Sequence, residues 1–336
     1  MNKMKTTEYI LDVKGLKKSF PVYDRGIFFK KHIGDIHAIN DVEFNIGYSE
    51  TLGLVGESGS GKTTLGRCLL HLEKLTEGSV FFKEIDFANI NISQLNSLRK
   101  EMQIVFQDPY ASLNPRMTCS QIIGEPLKVH NIVSTKEEYE TRIKELFDLV
   151  GLNYSMANRY PHEFSGGQRQ RLGIARALAL NPNFIVCDEP VSSLDVSIQA
   201  QIINLLIDLQ SKLNISYLFI SHDLAVVRQI SHRVAVMYLG KLVEIGDSDQ
   251  VYSNPLHPYT QALLSSIPIP DPIKEKKRKR IILKGEPPHP MNPPSGCVFR
   301  TRCPNPTHDC KEGNIQMGLI EVAPNHWVDQ CCVNCK

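Results

Sequence analysis

Apolar and polar residues alternate over Tyr9-Ile10-Leu11-Asp12-Val13 and Val42-Glu43-Phe44-Asn45-Ile46, a period of two that predicts half-buried strands. Leu52-Gly53-Leu54-Val55 is apolar throughout and predicts a buried strand running into a glycine-rich turn. Met102-Gln103-Ile104-Val105-Phe106 predicts another strand. Other stretches follow a helical period. Lys136 to Val150 gathers Ile143, Leu146, Phe147 and Val150 on one face. Gln168 to Leu180 predicts a second helix, stopped by Asn181-Pro182. Phe184 to Cys187 and Tyr217 to Ile220 are continuous apolar runs of the kind buried in parallel sheets, and Ser197 to Leu213 is the helix between them. Arg233 to Tyr238 and Lys241 to Ile245, joined through Leu239-Gly240, predict a hairpin. The alternation of strands and helices predicts an α/β fold.

Beyond about residue 267 the pattern stops. Ile267-Pro268-Ile269-Pro270-Asp271-Pro272 reads as a linker, and the basic run Lys274 to Arg280 as a solvated strand or linker. Six of the nine cysteines then fall between Cys297 and Cys335, which points to a metal-binding tail. Cys68, Cys119 and Cys187 read as buried small hydrophobes. The start, Met1 to Ile10, carries charges with no apolar core behind it, so no secretory signal and a reducing compartment are expected. Thiols there need a reason other than disulfides. A length of 336 residues suggests two structural units, and 42% hydrophobic with 22% charged residues is a globular balance. A net charge of +2 gives no support to a nucleic-acid partner. No apolar run approaches the ~20 residues that span a bilayer.

Gly56-Glu57-Ser58-Gly59-Ser60-Gly61-Lys62-Thr63, followed by Thr64, fits a phosphate-binding loop between a strand and a helix. Glycines let backbone N–H groups approach phosphates, and the helix N-terminus adds a positive dipole end. Lys62 is expected on the β- and γ-phosphate oxygens, and the Thr63 hydroxyl on Mg²⁺. The strand Phe184 to Cys187 ends in Asp188 and Glu189. Alone, the pair could be a helix N-cap. About 125 residues after a phosphate loop, it reads as a Mg²⁺ ligand, Asp188, and a general base for water, Glu189.

Phe164-Ser165-Gly166-Gly167-Gln168 is a second glycine turn at a helix start. It resembles the signature of the ABC transporter ATPase family, normally Leu-Ser-Gly-Gly-Gln, with Phe164 in place of the leucine. The resemblance covers roughly residues 8–265. It implies that Gln107 is the glutamine contacting Mg²⁺ and the attacking water, and that Ser193-Leu194-Asp195 crosses a dimer interface. It also implies that His222 contacts the γ-phosphate and that Phe20 stacks on adenine, although Tyr23, Phe28 and Phe29 offer the same π-face. The implied fold is a P-loop NTPase core with an antiparallel β subdomain and an inserted helical subdomain at about 108–172. The ATPase domain would span 1–266, and the linker and cysteine-rich region 267–336. The implied mechanism pairs two ATPase subunits head to tail, each ATP lying between one phosphate loop and the other subunit's Ser165-Gly166-Gly167-Gln168 and Asp195 region.

Gln107-Asp108-Pro109-Tyr110-Ala111-Ser112-Leu113-Asn114-Pro115-Arg116 and Asn254-Pro255-Leu256-His257-Pro258-Tyr259-Thr260-Gln261-Ala262-Leu263 resemble the ATPase subunits of dipeptide, oligopeptide and nickel importers. The wording around Tyr110 resembles the second, F-type, of their two paired ATPases. The resemblance implies a second ATPase subunit, two transmembrane permease subunits and, indirectly, an extracytoplasmic binding protein. It places the chain peripherally on the cytoplasmic face of the membrane. A nickel or other solute importer, or a soluble ABC ATPase with an iron–sulfur sensing role, is the alternative. On the residues alone, the His257 run is a helix start with proline at its first position.

Cys332 and Cys335 form one C-x₂-C pair, but the matching first knuckle of a zinc ribbon is missing. Four thiolates on loops suit an iron–sulfur cluster, with zinc as the alternative. The importer resemblance implies a [4Fe–4S] cluster on Cys297, Cys303, Cys310 and Cys331, with Cys332 or Cys335 as other choices for the fourth ligand. Trp327 could shield it from water.

Overall fold

The computed structural model describes residues 9–24, 31–268, 271, 275–276, 280–312 and 317–333. An antiparallel sheet orders β2 (His32–Gly47), β1 (Tyr9–Tyr23), β4 (Glu77–Phe82) and β5 (Ile85–Asp86). A larger sheet orders β11 (Leu319–Ala323), β12 (His326–Asp329), β10 (Lys241–Asp247), β9 (Arg233–Tyr238), β3 (Thr51–Val55), β8 (Ser216–Ile220), β7 (Phe184–Asp188) and β6 (Met102–Val105). Neighbours from β9 to β6 run parallel, and those from β9 to β11 antiparallel. Every residue of β3, β7 and β8 is buried, as continuously apolar runs require.

The predicted strands are present, but β1 and β2 extend well past their period-two runs. Their ladder contains five register shifts, and Gly15 and Asp41 take positive φ. Each bulge resets which face a residue points to, so pairing continues while the alternation breaks. The helix predicted from Gln168 runs Gly166–Leu178 instead. Ser165 caps it: the Gln168 N–H donates to Ser165 Oγ (3.3 Å), and the Ser165 N–H donates to Gln168 Oε1 (3.0 Å).

Helices Cys119–Val129, Lys136–Leu149 and Gly166–Leu178 pack on one another. The first of these is hidden in the sequence because Gly124 and Pro126 interrupt its pattern. Gly124 is needed there: a Cβ would sit 2.2 Å from Tyr139 Oη.

The C-terminal residues extend the large sheet, β12 pairing with β10 through Glu244–Gly246 and His326–Val328. Glu244, fully buried, bonds His326 Nε2 (2.8 Å) and accepts the backbone N–H of Leu256 (2.9 Å) and His257 (3.0 Å). Cys297, Phe299, Cys310 and Cys331 join the same apolar core as Val236 and Tyr238. Among the described residues no helix is long and apolar enough to cross a membrane.

Candidate active site and cysteine centre

β3 delivers the phosphate loop, and helix Lys62–Leu69 carries it on. Gly61 has φ 105°, and a Cβ there would lie 2.3 Å from the Ala38 carbonyl oxygen, so only glycine fits. Lys62 Nζ donates to the carbonyls of Gly56 (2.7 Å) and Glu57 (2.9 Å). Burial pulls its pKa down, while the charges of Glu189, Asp188 and Glu57 oppose that.

The other groups stand at the C-terminal ends of parallel strands, where α/β sheets place their ligands. Thr63 Oγ1 donates to Asp188 Oδ1 at 2.9 Å. Burial raises the Asp188 carboxyl, which the Thr63 hydrogen bond partly offsets. A buried anion beside a hydroxyl is a donor set for Mg²⁺, whose charge would hold Asp188 ionised. Glu189 follows β7 in the left-handed region, φ 48°, which no N-cap requires; the next helix, Val196–Leu213, is led by Asp195 instead. Glu189 Oε2 accepts Gln107 Nε2 at 2.8 Å and lies 3.2 Å from His222 Nδ1. Ser58, Gly59, Gly61, Lys62, Thr63 and Thr64 border a cleft of about 570 Å³ together with Gln107, Glu189 and His222. Phe20 pairs across the strands with Ile36, which lines the same cleft, and Lys18 Nζ lies 4.4 Å over its ring. Phe28 and Phe29 lie outside the described residues.

The signature residues do not reach this cleft. Ser165 and Gly166 are exposed at the start of their own helix, and Asp195 is exposed as well. Phe164 is buried and anchors the turn. Gly167 lets the turn approach the Asp195 segment: a Cβ would meet Ile198 Cγ2 at 2.5 Å. One chain thus presents two separate glycine turns at helix starts.

Three of the cysteines, Cys297, Cys331 and Cys332, converge. Cys331 Sγ lies 3.4 Å from Cys297 Sγ and 3.7 Å from Cys332 Sγ. Cys303 is near enough to Cys297 and Cys310 for their charges to raise its pKa, after burial, the main cause. A hydrogen bond with Cys331, then burial, raises Cys297. Cys335 lies outside the described residues. Burial and contact favour the neutral thiols here, so a cation bound among them would have to hold them as thiolates.

The comparisons decide the family. An ABC transporter pattern matches residues 39–192, and an oligopeptide/dipeptide transporter C-terminal region matches 243–310. The oligopeptide transport ATP-binding protein AppF of Bacillus subtilis is 55% identical over 96% of both chains. The oligopeptide transport ATP-binding protein OppF of Salmonella typhimurium is 50% identical over 90% of this chain and 91% of its own. A solved dimeric ATP-binding cassette, bound to ADP and Pi after hydrolysis, is 29% identical with a TM-score of 0.62, over 71% of this chain and 98% of its own.

This chain belongs to the ABC transporter ATPases.

Sequence reading missed several residues of this ATPase. Ile36, Ala38 and Pro290 also line the nucleotide cleft. Tyr259 Oη accepts the Glu57 N–H at 2.7 Å, which makes the His257-Pro258-Tyr259 run more than a helix start. His257 is buried, its Nδ1 accepts the Tyr259 N–H (3.0 Å), and a ring nitrogen lies within 4.8 Å of Cys331 and Cys332 Sγ. Burial lowers its pKa to about 4. Arg302 pairs with Glu57. Ile36, Ala38, Pro290 and Arg302 have no local signal, and Tyr259 meets Glu57 only through the fold.

Proposed function

We propose that this ATPase powers the import of di- or oligopeptides through a membrane permease. The observation that carries the reading is the match of residues 243–310 to the oligopeptide/dipeptide transporter C-terminal region. The proposed unit holds this chain, a second ABC ATPase subunit of the same or a paired kind, two transmembrane permease subunits and, indirectly, an extracytoplasmic binding protein. The ATPase would lie peripherally on the cytoplasmic face. Its domains would be 1–266, with a helical subdomain at about 108–172, and 267–336. The exposed Tyr110, 55% accessible beside the helical layer, is where a permease helix would dock.

In the proposed cycle, backbone N–H groups of Ser58 to Thr64 and the Lys62 ammonium bind the phosphates. Phe20 stacks on adenine. Thr63, Asp188 and Gln107 would hold Mg²⁺, which would supply charge neutralisation at the phosphate oxygens. Glu189 orients the attacking water and accepts its proton, and Gln107 and His222 fix the Glu189 carboxylate. Ser165, Gly166, Gly167 and Gln168 of the second subunit close over the γ-phosphate, with its Asp195 alongside. The exposed signature turn supports this division, because its N–H groups have no phosphate to meet in their own chain.

Cys297, Cys303, Cys310 and Cys331 would hold a [4Fe–4S] cluster, which would tie the C-terminal loops together. The nearness of His257 to Cys331 and Cys332 favours zinc as a second reading. The test of the transport reading is uptake of a labelled oligopeptide by vesicles carrying the assembled transporter. ATP-driven uptake is expected; ATP turnover without peptide uptake would redirect the assignment to another solute.

A further inference from the structure

The second residue of the phosphate loop is Glu57, a carboxylate one residue before Ser58, which borders the cleft. Its charge already reaches Lys62. Left alone, it would repel the nucleotide that the loop attracts. It is not left alone. Arg302 Nη1 donates to Glu57 Oε2 at 2.8 Å, and Nη2 donates to Oε1 at 3.2 Å. That is a two-pronged guanidinium–carboxylate contact, the form with the most defined geometry. The Arg302 side chain is only 8% exposed and that of Glu57 30%, so water screens the pair in part, from the carboxylate side. Its guanidinium also lies 5.8 Å over the Tyr238 ring.

Arg302 comes from the C-terminal region, 245 residues away in sequence. It stands between Cys297 and Cys303 on a loop closed by two turns: the Arg300 N–H donates to the Cys297 carbonyl (3.1 Å), and the Arg302 N–H to the Phe299 carbonyl (2.9 Å). Tyr259, on helix Pro258–Ser265, holds the Glu57 backbone through its Oη.

We infer that Arg302 is a positioning residue of the nucleotide site: it neutralises and holds Glu57, so that the phosphate loop presents a net positive field to ATP. The C-terminal region is then part of the nucleotide-binding apparatus. The inference rests on the ATPase assignment and does not require a metal on the cysteines.

The test is equilibrium binding of a fluorescent ADP analogue to the full chain at low and high salt. Arg302→Ala should weaken binding about tenfold at low salt, and the loss should shrink as salt rises. Arg302→Lys, which keeps the charge and loses the fork, should stay within about threefold. Glu57→Gln should bind at least as well as the unaltered chain. The double variant Arg302→Ala with Glu57→Gln should recover most of the loss, because the uncompensated charge is gone. Unchanged binding by Arg302→Ala would overturn the inference. So would a double variant as weak as Arg302→Ala, since Arg302 would then act only as a structural prop. If Arg302→Ala lowers Tm sharply, Arg302→Gln in the Glu57→Gln background carries the question. That neutral pair should bind like the unaltered chain, and a tenfold loss would overturn the inference.

Discussion

The nucleotide cleft and the cysteine region are both assembled from distant segments, but their segments carry different amounts of information. Each segment of the cleft brings its own local physics. The phosphate loop is a glycine turn at a helix start, and Asp188 and Glu189 end a buried strand; outside the cleft, the signature turn has the same kind of cue, Ser165 beginning a capped helix. The cysteine region has thiols at irregular spacing and little else that is local. Its placement depends on the pairing of β12 with β10 and on the buried Glu244–His326 contact. A site made of self-sufficient turns is visible before the fold is known. A site made of side chains held by long-range contacts is visible only afterwards.

Substitutions sharpen that difference. Glu189→Gln should cut ATP turnover by about 10²–10⁴-fold while nucleotide binding persists, measured as phosphate release beside equilibrium binding. Turnover near that of the unaltered chain would remove Glu189 as the base. Glu244→Ala should cost about 3–5 kcal/mol in urea unfolding, because His326 and two backbone N–H groups lose their partner inside the core. A cost below about 1 kcal/mol would show that the C-terminal strands contribute little to the fold. Lys62→Ala should weaken nucleotide binding about 10–100-fold, the range for losing a charged hydrogen-bond donor. Tyr259→Phe should have the smallest effect, about 1 kcal/mol of stability, from the acceptor lost to the Glu57 N–H.

Particular residues show how far the sequence could be read. The order of Gln107, Ser165, Asp188, Glu189 and His222 was legible, and the fold joins Gln107, Glu189 and His222 directly. The full length of β1 and β2 was not, because the bulges near Gly15 and Asp41 shift the phase of the pattern. Helix Cys119–Val129 was masked by Pro126. The gathering of cysteines at the C-terminal end of the chain was legible, whereas the burial of Cys297 and Cys331 against the sheet that carries the phosphate loop was not. Arg302 escaped notice, and Tyr259 was read only as part of the importer-like run, for the same reason: a single arginine or tyrosine acquires its contact with Glu57 only when the chain folds.

The proposed reading of the cysteine region is a loaded centre rather than a set of buried thiols. The most direct measurement is iron, zinc and acid-labile sulfide per chain on anaerobically purified protein, with the visible absorption spectrum. About four iron and four sulfide, with broad visible absorption, are the predicted result. A chain with neither iron nor zinc, all its C-terminal thiols titrating as free, would contradict it.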